Sequence, residues 1–170
     1  GEDIVPKTEE EMRKIRWKGV SMIFQAAMNA LNPVYKVGDQ IIEAIQTHDN
    51  ISKEEAREKV RKLYELVGLS PERMKNYPHE YSGGMRQRAI IAMALACDPK
   101  FIIADEPTTA LDVIVQDQII DEIVNLQKKL NMTMMYISHD ISVIAETCNK
   151  IGVMYAGNIV EYTYTSTLFD

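Results

Sequence analysis

Apolar positions along the 170-residue chain change their period several times, and each change marks an element. Residues 8–18, TEEEMRKIRWK, are polar throughout, with acids first and bases last, which complements a helix dipole and predicts a helix with a solvated face. VSMIF (residues 20–24) is a short apolar run ahead of Gln25 and reads as a buried strand. AAMNALNPVYKV (26–37) loses regularity at Asn32 and Pro33 and reads as a loop. From Ile41 to Tyr81 the period becomes helical: Ser52 and Glu55 make a capping box, and Ala56, Val60, Leu63, Tyr64 and Val67 recur at helical spacing. Gly68 stands where a helix C-terminus favours glycine. SGGMRQRAIIAMALAC then offers Ser82 as N-cap of a long apolar helix that stops at Asp98 and Pro99.

Beyond Pro99 the alternation is regular. Strands are predicted at 101–104, 132–137 and 151–155, with helices from Asp112 to about residue 130 and at 141–147. Ile119, Ile123, Leu126 and Leu130 give the first of these helices a buried stripe. Strands alternating with helices predict an α/β fold with a parallel sheet covered on both faces. Gly157 and Asn158 are expected to turn the chain into a last strand, IVEY (159–162). No internal repeat or low-complexity segment interrupts the pattern.

Composition narrows the classes of function. With 46% hydrophobic residues the chain can bury a core of its own. A formal charge of −6 argues against nucleic acid or an anionic membrane surface as partner, since both need an excess of Lys and Arg. Cys97 and Cys148 are far apart and form no CxxC pair, so they read as two reduced thiols. The longest apolar run, AIIAMALAC, is too short to span a bilayer, so the chain is expected to be soluble and to meet a membrane only through a partner. It begins with Gly1 in place of Met, which fits a processed tag or a cut from a longer protein.

In an open parallel sheet, ligands bind beyond the carboxyl ends of the strands. Gln25, the adjacent acids Asp105 and Glu106, and His139 all fall at such ends. Each alone has an ordinary explanation as a loop, capping or surface residue; their convergence on one sheet edge points to a site. Consecutive residues leaving a strand point in different directions, so one carboxylate can face a hard cation and the other a nucleophile. Asp105 is accordingly assigned to a metal and Glu106 to an attacking water, as in phosphoryl transfer. At Ser82, Gly83 and Gly84 a helix start combines a hydroxyl, close backbone approach and free N–H groups, which attract an anion. Ser138, His139 and Asp140 are neighbours whose side chains fan apart, so they do not form a hydrolase triad; Asp140 reads as the next N-cap.

These residues carry a resemblance. YSGGMRQR resembles the signature sequence of ABC transporter ATPases, FIIADEP their Walker-B strand, TALD their D-loop, SH their switch histidine and FQ their Q-loop, in matching order along essentially the whole chain. MIFQAAMNALNPVYKVGDQI and the stretch 82–120 look most like oligopeptide and dipeptide importers, with nickel importers close by. The resemblance implies a P-loop NTPase fold, truncated, with residues 1–25 and 98–170 as a partial ATPase core and 26–97 as an inserted helical subdomain carrying the signature. It implies ATP and Mg²⁺ as cofactors, with Ser82, Gly83 and Gly84 on the γ-phosphate of a nucleotide held by a second ATPase subunit. Glu106 would polarise the water, Asp105 and Gln25 would serve Mg²⁺, His139 would bond the γ-phosphate, and Asp112 would act across the dimer interface. The loop after Gln25, including Asn29 to Val34, would meet membrane permease subunits, placing the protein peripherally on the cytoplasmic face of the membrane. An extracytoplasmic peptide-binding protein would be an indirect partner, and nucleic acid none.

Departures qualify this picture. Tyr81 and Met85 replace the usual leucine and glutamine around SGG, and Tyr81 is still expected to pack. The tail VEYTYTSTLFD lacks the glycine and proline that often follow IVE. No GxxxxGK[ST] occurs in the 170 residues, so the backbone cradle and Lys for the phosphates are not among them. The family's strand order puts the P-loop strand between the histidine strand and residues 151–155. The chain is therefore expected to close that gap by re-pairing, or to associate with another copy. Two other readings stand beside a peptide-importer ATPase: a non-catalytic binding or regulatory module, and an ABC-type ATPase acting on DNA or ribosomes. The acidic composition and the NALNPV loop speak against the latter.

Overall fold

A computed structural model describes residues 3–25, 30–109 and 111–169. Helix α1 (Glu9–Ile15) starts from a full Thr8–Glu11 capping box, buries no residue and ends where Trp17 enters the left-handed region (φ 71°). Strand β1 (Val20–Ile23) follows. Helices α2 (Val37–His48) and α3 (Lys53–Leu66) and two short 3-10 turns (Pro71–Lys75, Pro78–Glu80) form the predicted helical region, and α4 (Gly83–Leu95) leads back to the sheet. The remaining elements are β2 (Phe101–Asp105), α5 (Val113–Leu130), β3 (Thr133–Ile137), α6 (Ile141–Thr147), β4 (Lys150–Tyr155), β5 (Asn158–Tyr164) and α7 (Thr165–Phe169).

Local signals account for most boundaries. Ser52 and Glu55 exchange the capping-box hydrogen bonds at the start of α3. At its end Gly68 takes φ 68°, with Gly68 N–H donating to Glu65 O and Leu69 N–H to Tyr64 O, the paired bonds of a Schellman motif. The face of α3 built from Ala56, Val60, Leu63 and Tyr64 is buried against α2, where Val37, Ile41 and Ile45 are fully inaccessible. Tyr81 packs as expected: its hydroxyl lies 3.1 Å from that of Tyr64 and donates to Arg73 O at 2.5 Å, so two buried hydroxyls satisfy each other. Helix α4 touches both this helical layer and β1, and its Ala89, Ile91, Ala92 and Leu95 join the two into one apolar cluster with Ile23, Ile102, Ile119 and Ile123.

The sheet is smaller than expected. β1, β2 and β3 are parallel in the order β1-β2-β3, whereas β4 and β5 form a separate antiparallel pair. The strand at 151–155 is thus not in the parallel sheet, and among the described residues the expected re-pairing does not occur. The physical reason is proximity along the chain. β4 pairs with the strand joined to it by a two-residue turn at Ala156 (φ 48°) and Gly157 (φ 79°), both left-handed as a tight hairpin requires. The turn centre is therefore Ala156–Gly157, with Asn158 already paired to Tyr155, and the last strand runs two residues past its predicted end to Tyr164. Coverage of both sheet faces also fails at this side. Met135 and Ile137 of β3 are each 43% exposed, and most apolar side chains of the hairpin face solvent.

Cys97 is buried and Cys148 half-buried, and both are free thiols. No helix among the described residues is long and apolar enough to cross a membrane. One packing contact is a sensitive test of the helical layer. A Cβ added at Gly38 would lie 2.7 Å from both the Cβ and the carbonyl oxygen of Met74. Gly38→Ala is therefore expected to push α2 off the 3-10 turn and cost about 1–3 kcal/mol. Urea unfolding would read this as a lower midpoint with an unchanged slope.

Candidate functional site

Parallel registration brings the strand ends level. Ile23 pairs with Ala104 and Ala104 with Tyr136, so the residues just beyond them, Gln25, Glu106 and His139, leave the sheet side by side. They meet at one carboxylate. Gln25 Nε2 donates to Glu106 Oε2 at 2.7 Å, His139 Nδ1 lies 2.8 Å from Glu106 Oε1, and Thr109 Oγ1 donates to Glu106 Oε2 at 2.9 Å.

The backbone of Glu106 is unusual. Its φ is +44°, a left-handed conformation that costs a non-glycine residue about 1–2 kcal/mol. Pro107 disfavours the right-handed helical region for the residue before it, and Glu106 N–H donates to Ile137 O at 2.9 Å, anchoring the bend to the end of β3. Asp105 stays in the strand, half-buried and paired with Ile137. The two acids thus diverge as the sequence predicts: one remains in the ladder, the other is turned out towards Gln25 and His139.

The electrostatics follow from the contacts. The hydrogen bond with His139, then that from Thr109, hold the Glu106 carboxyl below its ordinary range, while the same carboxylate raises the His139 imidazole above its own. The imidazole contributes stability fully below the ordinary histidine value and loses it as pH rises through the raised one. The carboxylate contributes above the ordinary glutamate value and loses it as pH falls through the lowered one. The bridge is therefore complete between the two ordinary values.

The other predicted residues occupy helix starts. Ser82 caps α4, its hydroxyl accepting from Met85 N at 3.3 Å, and Gly83 and Gly84 open the helix. Gly84 also has a packing reason: a Cβ there would come within 2.8 Å of Val115 Cγ1 on α5. Asp112 caps α5, accepting from Val115 N at 3.0 Å, and Asp140 caps α6. Among the described residues no hydrogen bond links Ser82, Gly83, Gly84 or Asp112 to the Glu106 group. Asn29 and Ala110, which belong to the predicted permease loop and D-loop, lie outside the described residues.

Two features escaped the sequence reading. Thr109 is the third donor to Glu106, signalled only by a hydroxyl three residues on in the turn after a strand. Arg88 donates to Val67 O at 2.9 Å and pairs with Glu122, tying the end of α3 to the middles of α4 and α5. Its sole sequence signal is its place as the last charge before the apolar run that completes α4. No cluster of three or more His, Cys, Asp or Glu side chains suited to a metal occurs among the described residues.

Comparison with known proteins places this arrangement. The sequence profile of the ABC transporter family matches residues 1–109. The chain belongs to the ABC transporter family. It is 51% identical over 171 aligned residues to the oligopeptide transport ATP-binding protein OppD of Bacillus subtilis, covering 99% of this chain and 48% of that one. To the dipeptide transport ATP-binding protein DppD of the same organism it is 47% identical over 169 residues, covering 98% and 50%. The chain thus spans about half the length of these relatives. A dimeric ATP-binding cassette in a post-hydrolysis state with ADP and Pi superposes with a TM-score of 0.81 at 26% identity, covering 94% of this chain and 68% of that one. The fold is that of a P-loop NTPase of the ABC type, represented by part of its sheet and its helical layer.

The Glu106–His139 bridge can be checked in this chain directly. With three histidines to assign, a ring NMR titration is expected to show the His139 midpoint falling towards the ordinary value in Glu106→Gln. An unchanged midpoint would mean that the bridge does not form in solution.

Proposed function

We infer that this chain is the signature-bearing part of an ATP-hydrolysing subunit that energises import of peptides. The observation that carries the reading is the convergence of Gln25 and His139 on Glu106, at the end of a strand whose last residue is a second acid. The names of the relatives, oligopeptide and dipeptide transport ATP-binding proteins, support the transport context and the peptide substrate.

In this reading residues 1–25 and 98–170 belong to the ATPase core and 26–97 to the helical subdomain, with α4 as the element common to both. Asp105 and the amide oxygen of Gln25 are hard donors of the kind Mg²⁺ takes, and the Gln25 amide nitrogen is already committed to Glu106. Fewer than three protein ligands suit a cation that keeps several waters and shares the substrate's phosphates. Bound there with ATP, Mg²⁺ would supply neutralisation of phosphate charge. Glu106 Oε1 then takes the proton of the attacking water, and His139, 81% exposed at its side chain and free to swing, hydrogen-bonds the terminal phosphate. On taking up its role His139 leaves the Glu106 carboxylate, removing a hydrogen bond that weakens it as a base.

Among the described residues, Ser82, Gly83, Gly84 and Asp112 share no hydrogen bond with the Glu106 group of the same chain. This supports their acting on a nucleotide held by a second ATPase subunit, and the matching cassette is described as dimeric. Permease subunits and, through them, an extracytoplasmic peptide-binding protein complete the proposed assembly, which sits peripherally on the cytoplasmic face of the membrane.

Two outcomes test the reading. In the full-length protein Glu106→Gln should abolish ATP turnover while sparing Mg-ATP binding, because the shape is kept and the base is lost; hydrolysis at the wild-type rate would discard the role. The 170-residue chain, which contains no GxxxxGK[ST], is expected neither to hydrolyse ATP nor to bind it tightly. Micromolar Mg-ATP affinity by calorimetry would contradict this.

A further inference from the structure

We propose that Thr109 is a positioning residue, whose hydroxyl keeps the Glu106 carboxylate aimed at the attacking water once His139 has moved to the phosphate and the Gln25 amide is engaged by the metal. This rests on the base role given to Glu106 above.

Three donors hold the carboxylate, and they are not equivalent. Gln25 and His139 reach it from other strands, 81 and 33 residues away, whereas Thr109 belongs to the same turn. Thr109 N–H donates to Glu106 O at 3.2 Å and Leu111 N–H to Thr108 O at 3.2 Å, so successive turns fix the backbone that carries the hydroxyl. Thr108 beside it is buried and Thr109 itself half-buried, and a β-branched side chain has few χ1 choices. The Thr109 hydroxyl has a single proton to donate, and it goes to Glu106 Oε2, leaving Oε1 as the oxygen from which His139 departs.

The chemistry separates the donors further. A carboxylate that serves as base must keep its orientation through the step that strips away its other partners, and a displaced reacting group forfeits much of the rate. His139 cannot supply that orientation while engaged at the phosphate, and the orientation of the Gln25 amide is then set by its metal-facing oxygen as well as by Glu106. Thr109 can, because no proposed role calls its hydroxyl away and because its reach is set by the turn that also gives Glu106 its left-handed backbone. The plainer alternative is that Thr109 only closes a turn, in which case its hydroxyl contributes to stability and nothing else.

Two experiments separate these. In the full-length protein, Thr109→Val is expected to lower kcat about ten-fold or more while KM and Mg-ATP affinity stay within about two-fold, and Thr109→Ser to restore kcat. On a Glu106→Gln background, where turnover is expected to be lost, any rate that remains should not change with Thr109→Val, because the hydroxyl acts only through that carboxylate. A Thr109→Val enzyme at full kcat, or one whose loss persists undiminished in the Glu106→Gln background, overturns the inference while leaving Glu106 as base. Wild-type hydrolysis by Glu106→Gln alone overturns the base role and the inference with it. The second experiment needs no turnover. In a crystal structure of the 170-residue chain carrying Gln25→Ala and His139→Ala, Glu106 Oε2 should remain within hydrogen-bonding distance of Thr109 Oγ1. A carboxylate that swings away from Thr109 in that variant overturns the proposal.

Discussion

Register between three parallel strands is the constraint from which the site follows. Val20, Phe101 and Thr133 stand opposite one another, and every later pair inherits that alignment. Because side chains alternate along a strand, a slip of one residue in β1 or β3 would invert its faces and carry Gln25 or His139 to the wrong side of Glu106. The register is held from below by burial: Ile23, Ile102 and Ala104 face the apolar cluster and cannot exchange with their half-exposed neighbours without opening it. Geometry at the hydrogen-bonding edge of the sheet is thus enforced by packing on its covered face.

Helix α4 performs the equivalent service for the second group of residues. It is the element at which the helical layer and the sheet share a core, and its first turn is pressed against α5 through the Gly84–Val115 contact. Arg88, reaching both Val67 and Glu122, fixes the same two helices one turn further on, and the joined hydroxyls of Tyr64 and Tyr81 fix the approach to Ser82. Ser82 and Asp112 therefore cap neighbouring helices whose relative position is set by packing and a charged contact together.

Much of this was legible in the sequence because the signals are local. The capping box at Ser52, the glycine after α3 and the apolar periods of α3 and α5 depend on residues within a few positions of each other, and they appear where the pattern places them. The convergence of Gln25, Glu106 and His139 was also foreseeable, since strand ends in a parallel sheet share an edge. What escaped were contacts decided in three dimensions. Thr109 read only as the first residue of TALD, with no role of its own, until the left-handed backbone of Glu106 brought the two side chains together. β4 read as one more parallel strand, because a period-two pattern says which residues alternate and nothing about which neighbour accepts the hydrogen bonds. The tight turn at Ala156–Gly157 decides that in favour of β5.

The distance along the chain between Gln25 and Glu106 has a further consequence. Bringing together two residues 81 positions apart carries an entropic cost of about 4 kcal/mol for a flexible connection, before any constant term. That cost is offset by the helices in between, whose packing leaves Gln25 little freedom to wander. The cohesion of α2, α3 and α4 is accordingly part of the chemistry at Glu106, and a loosened helical layer would dilute the local concentration of Gln25 around the carboxylate without altering a single contact in the site.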